Sequence, residues 1–251
     1  MLSHDIIKIK AHLRHKLQSA RKTFHFFMKK LGVIVFTPKM SLNDIDTKMG
    51  KYIDYKNGFF IEVGANDGRS QSNTYYLEYK KHWKGVLVEA IPALYEKCKY
   101  NRPHAYVYNR ALVSPDYSKA TLLLHFANLM SAGENAMPAD QLQHHIDQGL
   151  IVQGGITTYT VEVPVTTLES ILDKNPPPVI DFFSLDVEGA ELDILKGLNL
   201  KRYRPKFILI EVRDYNQITN FLKDNGYECV DQLSHHDYLY MDTLNPSLTQ
   251  K

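Results

Sequence analysis

The chain has 251 residues, 44% of them hydrophobic and 23% charged, which is material for one large or two small folded domains and excludes disorder and coiled coil. Its net charge of +2 hides an asymmetry: residues 1–30 carry eight Lys or Arg against Asp5 alone, so they hold +7 and the remaining body −5. A mildly acidic body with a basic arm disfavours nucleic acid as a partner, and the two cysteines, Cys98 and Cys229, form neither a CxxC pair nor a zinc ligand set.

The arm spaces Ile6, Ile9, Leu13, Leu17, Phe24 and Met28 at roughly helical intervals. That predicts a helix with a solvated basic face, which could also touch a membrane surface peripherally. No small-residue cleavage site and no run of about eighteen apolar residues is present, so neither a secretory signal nor a membrane span is expected. Together with the unpaired cysteines this makes the cytoplasm the expected location. Ser41 is placed to cap a short helix with Leu42, Ile45, Met49 and Ile53 on one face.

Asn57-Gly58 breaks that helix, and residues 59–63 follow as a buried strand. A helix is predicted over residues 73–81, a strand over 85–89, a helix from Pro92 to about Tyr100, and a strand over 105–108. Between Ala111 and Pro164 the alternation stops. Two β-like stretches, 121–126 and 159–165, flank a connection over 127–155 containing Gly, Met and His, long enough to be functional. Alternation then resumes with a helix over 168–172, a strand over 180–185, a helix over 191–196 ending at Gly197, and a strand over 207–212. A helix ending at Asn225-Gly226 and two β segments, 227–230 and 238–241, close the chain. Buried strands separated by helices demand a mostly parallel sheet, while the final pair is too close for a crossover and predicts an antiparallel last strand.

Ligands of such sheets sit outside the carboxyl ends of the strands. There the first strand gives Gly64-Ala65-Asn66-Asp67-Gly68. Gly64 and Gly68 allow a tight turn and close backbone approach, and Asn66 tolerates left-handed geometry. Glu89 ends the second strand 21 residues beyond Gly68, where a carboxylate can accept both hydroxyls of a ribose. NAD and S-adenosylmethionine both carry that ribose. Asp67 would repel a pyrophosphate but could meet the ammonium of a methionine moiety, which tilts the reading to S-adenosylmethionine. Past the later strands come Asp186, Glu188, Glu191 and Glu211. Glu188 and Glu191 suit the first turn of a helix, whereas Asp186 and Glu211 could position a hydroxyl, take its proton or hold a cation. His236, in the closing hairpin, has the side chain best suited to a base near neutrality. No zinc site is expected, and a divalent cation is not.

Phe60 to Gly68 with Ser70-Gln71-Ser72-Asn73-Thr74, then Gly85 to Pro92, Asn109 to Val113, Thr166 to Glu169 and Asp186 to Glu191 resemble, in order, the signatures of the FkbM family of S-adenosylmethionine-dependent methyltransferases. The resemblance runs from about Phe59 to Met241. It implies a class I, Rossmann-like α/β three-layer sandwich on a seven-stranded sheet with an antiparallel last strand. It implies O-methylation, often of a sugar hydroxyl in a glycan, polysaccharide precursor or nucleotide sugar. It extends the cofactor contacts from Gly64, Asn66, Asp67, Gly68, Glu89 and Asp186 to Glu62, Ser72, Ala90 and Ala111. Asp186, Glu211 and His236 remain the catalytic candidates. Residues 1–55 form an extension outside it and 56–251 the catalytic domain, with 111–164 an insertion for acceptor specificity. A scaffold without turnover and an NAD-dependent oxidoreductase are the competing readings. The second lacks its Gly-x-Gly-x-x-Gly.

Overall fold

A computed structural model describes residues 40–127, 130–134, 136–152 and 158–249. The basic arm lies outside the described residues. Seven strands form the main sheet: β1 (Phe59–Val63), β2 (Lys84–Val88), β3 (Tyr106–Tyr108), β8 (Ile180–Leu185), β9 (Pro205–Glu211), β10 (Tyr227–Gln232) and β11 (Asp237–Asp242). Their order is β10-β11-β9-β8-β1-β2-β3. All neighbours from β3 to β9 pair parallel, and β11 pairs antiparallel with both β9 and β10. The last strand thus inserts between β9 and β10 instead of adding to the edge.

Strand alternation divides the apolar residues between two helical layers. Ile61, Val63, Phe183, Leu185, Ile208 and Ile210 face the helices Leu168–Leu172, Glu191–Lys196 and Tyr215–Asp224. Phe60, Leu87, Phe182, Phe207, Leu209 and Leu239 face the opposite layer, built from Tyr75–Lys81, Pro92–Asn101 and the turns holding Ile45, Met49 and Ile53. The expected break at residue 55 therefore falls within one packed layer: those three residues are buried, Tyr52 donates to Asp231, and Tyr55 donates to Asp181.

Four further strands form a second sheet over the carboxyl end of the first, in the order β4 (Ala111–Leu112), β7 (Tyr159–Thr166), β5 (Thr121–Phe126), β6 (Ala132–Gly133). The connection expected over 127–155 is not all loop: it contains the helix Ala139–Val152. Leu142 and Ile146 bury one of its faces against Ala127 and Ala132.

Candidate functional site

Strand order reverses between β1 and β8, since β1 leads outward to β2 and β3 while β8 leads the other way to β9. That switch point opens a crevice at the carboxyl ends of the strands, here a cavity of about 290 Å³. The amides of Gly64 and Ala65 both donate to Val88 O, and Asp186 N–H donates to Val63 O. Gly64 has φ +80°, and a Cβ on it would lie 1.8 Å from the Asp186 carbonyl oxygen. Its bareness serves contact between the two strand-end loops, a reason more basic than approach to a cofactor. Asn66 takes φ +50°, the left-handed geometry expected of it.

Asp67 and Gly68 correct two expectations. Asp67 Oδ1 accepts the amides of Arg69 and Ser70, and its Oδ2 accepts the Ser70 hydroxyl. It closes the turn, as a carboxylate with two free amides just ahead of it does, and it does not line the cavity. Gly68, also off the lining, gives room to helix Pro92–Asn101: a Cβ there would stand 2.8 Å from Arg102 Cγ and Cys98 Sγ.

Arg102, 1% exposed, braces this loop from beneath. Its guanidinium donates to Glu62, Glu78, Thr74, Ser72 and the Gly68 carbonyl. Glu62 is buried and also accepts from Ser72, Thr74 and the Asn73 amide. Arg102→Lys keeps the charge but loses the planar fork. Equilibrium urea unfolding is expected to show a loss of about 2 kcal/mol. An unchanged midpoint would mean the fork contributes nothing.

Glu89 lies at the far end of the same crevice, buried. Its Oε2 accepts Asn66 N–H at 2.7 Å and its Oε1 accepts Ile91 N–H at 2.8 Å. The carboxylate therefore shapes the loop as well as the pocket that it lines. Burial pushes its pKa up to about 7, against the pull of the Ile91, Asn66 and Ala90 amides.

At the other end stand Asp186, Glu188 and Glu211, with a carboxylate oxygen of each within 4.8 Å of the others. Asp186 is exposed to the cavity, which is open on one side, but its carboxyl stands among the other acidic side chains that line that end. Desolvation of the carboxyl, then the neighbouring Glu211 carboxylate and a hydrogen bond to it, push its pKa well above the usual carboxylate range. Glu188, at φ +60°, swings toward the cluster, where it pairs with Arg213 and its Oε2 lies 3.6 Å from His145 Nε2. Burial, then Glu211, pushes Glu188 up to about 7. Glu191 does keep the helix-start role, its Oε1 accepting the amides of Val187 and Gly189.

Of the candidate residues, the cavity gathers Glu62, Gly64, Asn66, Ser72, Glu89, Ala90, Ala111, Asp186 and Glu211. His236 is not among them: it is exposed on a turn that Ser234 pins by accepting its amide. Glu188, Arg213 and His145 join the acidic end instead. Their signal was partial, Glu188 lying in the acidic string and Arg213 two residues past Glu211.

The Methyltransferase FkbM domain matches residues 62–229. Among curated proteins no relative matches the chain. Solved structures similar to it include an S-adenosylmethionine-dependent methyltransferase from Aquifex aeolicus, at 10% identity over 79% of this chain and 88% of that one, with a TM-score of 0.41. A TehB-like methyltransferase from Corynebacterium glutamicum is 9% identical over 93% and 99%, at 0.42. Human methyltransferase 10 domain containing protein is 12% identical over 88% and 93%, at 0.45. With the family domain spanning both loops of the crevice and the strand order that builds it, the chain belongs to the FkbM family of methyltransferases.

Proposed function

We propose that this S-adenosylmethionine-dependent methyltransferase alkylates a hydroxyl oxygen of a carbohydrate: a glycan, a polysaccharide precursor or a nucleotide sugar. The observation that carries the reading is the meeting of Asp186 and Glu211 at the ends of adjacent strands, on the wall of the cavity. A hydroxyl must lose its proton as it is alkylated, and a carboxylate pair is suited to receive it.

The residues fit the cofactor. Glu89 presents its carboxylate to a ribose, the loop that starts at the bare Gly64 leaves room beside it, and Ile91 and Leu94 supply an apolar wall for a base. When bound, S-adenosylmethionine supplies an electrophilic methyl on a cationic sulfur, and an acidic neighbourhood attracts that charge. Asp186 and Glu211 hold the acceptor hydroxyl in line with the methyl and take its proton, so the chain's contribution is alignment and proton removal. The wall from the insertion, including Leu122 and Leu124 of its sheet and Met130 beside it, lies over the crevice and selects the acceptor.

Transfer of labelled methyl to a panel of nucleotide sugars and glycans, run beside amine and carbon acceptors, tests this. Label on sugar hydroxyls is expected; label confined to nitrogen or carbon overturns it. Glu89 adds a pH signature. Its pKa near 7 keeps the carboxyl protonated below that value, whereas two ribose hydroxyls donating to it favour the ionised form. Affinity for S-adenosylhomocysteine is therefore expected to weaken by up to about tenfold per unit as pH falls below 7. Glu89→Gln should weaken binding about tenfold at pH 8 and flatten the slope. A pH-independent affinity in the parent protein would remove Glu89 from the ribose.

A further inference from the structure

We propose that Leu42, which lies ahead of the family domain, is a cofactor-binding residue: together with Gln71 it covers the amino-acid tail of S-adenosylmethionine. Leu42 lines the cavity, although the match to the family domain starts only at residue 62. Its segment is anchored, since Ile45, Met49 and Ile53 are buried in the core. Leu42 itself stays 49% exposed. An apolar side chain held at a cavity wall by a buried anchor, and left half in solvent, is stabilised when a ligand covers it.

The part of the ligand follows from the shape of the cofactor. With the ribose at Glu89, on which this placement rests, and the base against Ile91 and Leu94, the methyl faces Asp186 and Glu211. The wall that remains carries Ser70, Gln71, Asn73 and Ser184. Hydroxyls and amides there suit a zwitterion, and the Asn73 amide, donating to Ser184 Oγ at 3.0 Å, ties this limb to β8. Ser41, whose Oγ accepts the Asp46 amide at 2.8 Å, pairs in parallel with Gln71. That pairing sets Leu42 beside the limb, where its methyls can cover the methylenes between sulfur and zwitterion. The backbone supplies a separate sign. Asn43, Asp44 and Gln71 take φ of +53°, +57° and +64°. Glycine would adopt this left-handed geometry at less cost. Three such side chains kept at one contact, one of them on the cavity wall, mark a clamp shaped for a ligand.

The test compares two ligands that differ in the tail. S-adenosylhomocysteine has it; 5′-methylthioadenosine keeps base, ribose and sulfur and carries a methyl in its place. Both are titrated by calorimetry into the full chain. Leu42→Ala is expected to weaken S-adenosylhomocysteine about tenfold and to leave 5′-methylthioadenosine within about twofold. Gln71→Gly should show the same split, with a urea midpoint no lower than the parental one because glycine relieves the left-handed backbone. In the parent chain, S-adenosylhomocysteine isotope-labelled in its homocysteine methylenes should give nuclear Overhauser contacts to the Leu42 methyls, a readout that needs no variant to fold. Parental affinity in Leu42→Ala, equal loss of both ligands, or no Overhauser contact overturns the clamp. Where Glu89→Gln weakens both ligands and Leu42→Ala neither, the clamp alone falls. Affinity unmoved by Glu89→Gln overturns the ribose placement and the clamp with it.

Discussion

Gly64→Ala is expected to destabilise the protein by about 3–5 kcal/mol and to abolish cofactor binding. One methyl group does this because it has nowhere to go. It would sit 1.8 Å from the Asp186 carbonyl oxygen, where Cβ atoms keep about 3.0 Å. The obstacle is backbone, which cannot rotate aside. Asp186 is tied through its own amide to Val63, and Gly64 through its amide to Val88. Relief therefore requires parting β1 from β8 at the switch point, and with it the crevice. The φ of +80° adds strain that any side chain would feel. Urea unfolding and S-adenosylhomocysteine titration check the two halves. Wild-type stability would mean that the strand-end loops do not touch as described. Normal stability with lost binding would return Gly64 to the simpler role of making room for a ligand.

The parts of the fold that were legible in the sequence are those whose ends carry local chemistry. The helix Leu168–Leu172 begins where the Thr167 side chain accepts the Ser170 amide, and Glu191–Lys196 stops at Gly197. The strand Ile180–Leu185 is buried at every position, and such a run has only one home, the middle of a parallel sheet. Helix Ala139–Val152 was not legible, although Leu142, Ile146 and Gly149 share a face. Its partners, Ala127, Met130, Ala132, Ala136 and Met137, are scattered small residues and methionines with no period of their own in the sequence. Insertion of β11 between β9 and β10 was hidden for another reason: a hairpin fixes which two strands pair, not which of them meets the rest of the sheet.

The site divides in the same way. Gly64, Asn66 and Glu89 were legible because their roles follow from backbone geometry and from a carboxylate at a strand end. Asp67 misled, since the same carboxylate that could greet an ammonium found two amides of its own loop first. Glu188 was read as a helix-start residue. Its φ of +60° turns it away from that role, and the following Gly189, at φ +114°, passes close to Ala136 of the insertion. That encounter joins segments some fifty residues apart in the sequence, and nothing local encodes it.

Asp186→Asn is expected to lower kcat at least a hundredfold, about 2.7 kcal/mol of barrier, in a protein that stays folded and still binds S-adenosylhomocysteine. Both halves follow from where the side chain stands. Its backbone amide, not its carboxylate, is the group that holds the loop to β1. The side chain opens onto the cavity, beside Glu211 and Glu188. Desolvation and the neighbouring Glu211 already disfavour a charge on Asp186, so a neutral amide there should leave the thermal midpoint no lower than in the parent chain. An arrangement that stability does not require, built from two strand ends and a left-handed turn, has its use in chemistry. An amide of the same shape can neither take a proton from an acceptor hydroxyl nor neutralise a cation, so turnover should fall whichever of these tasks Asp186 performs. His236→Ala, on the exposed turn, is the matched control and should retain near-parental kcat. Turnover near the parental rate in Asp186→Asn would move the chemistry elsewhere in the cavity. A collapse of cofactor binding in that variant would instead recast Asp186 as a residue that builds the crevice.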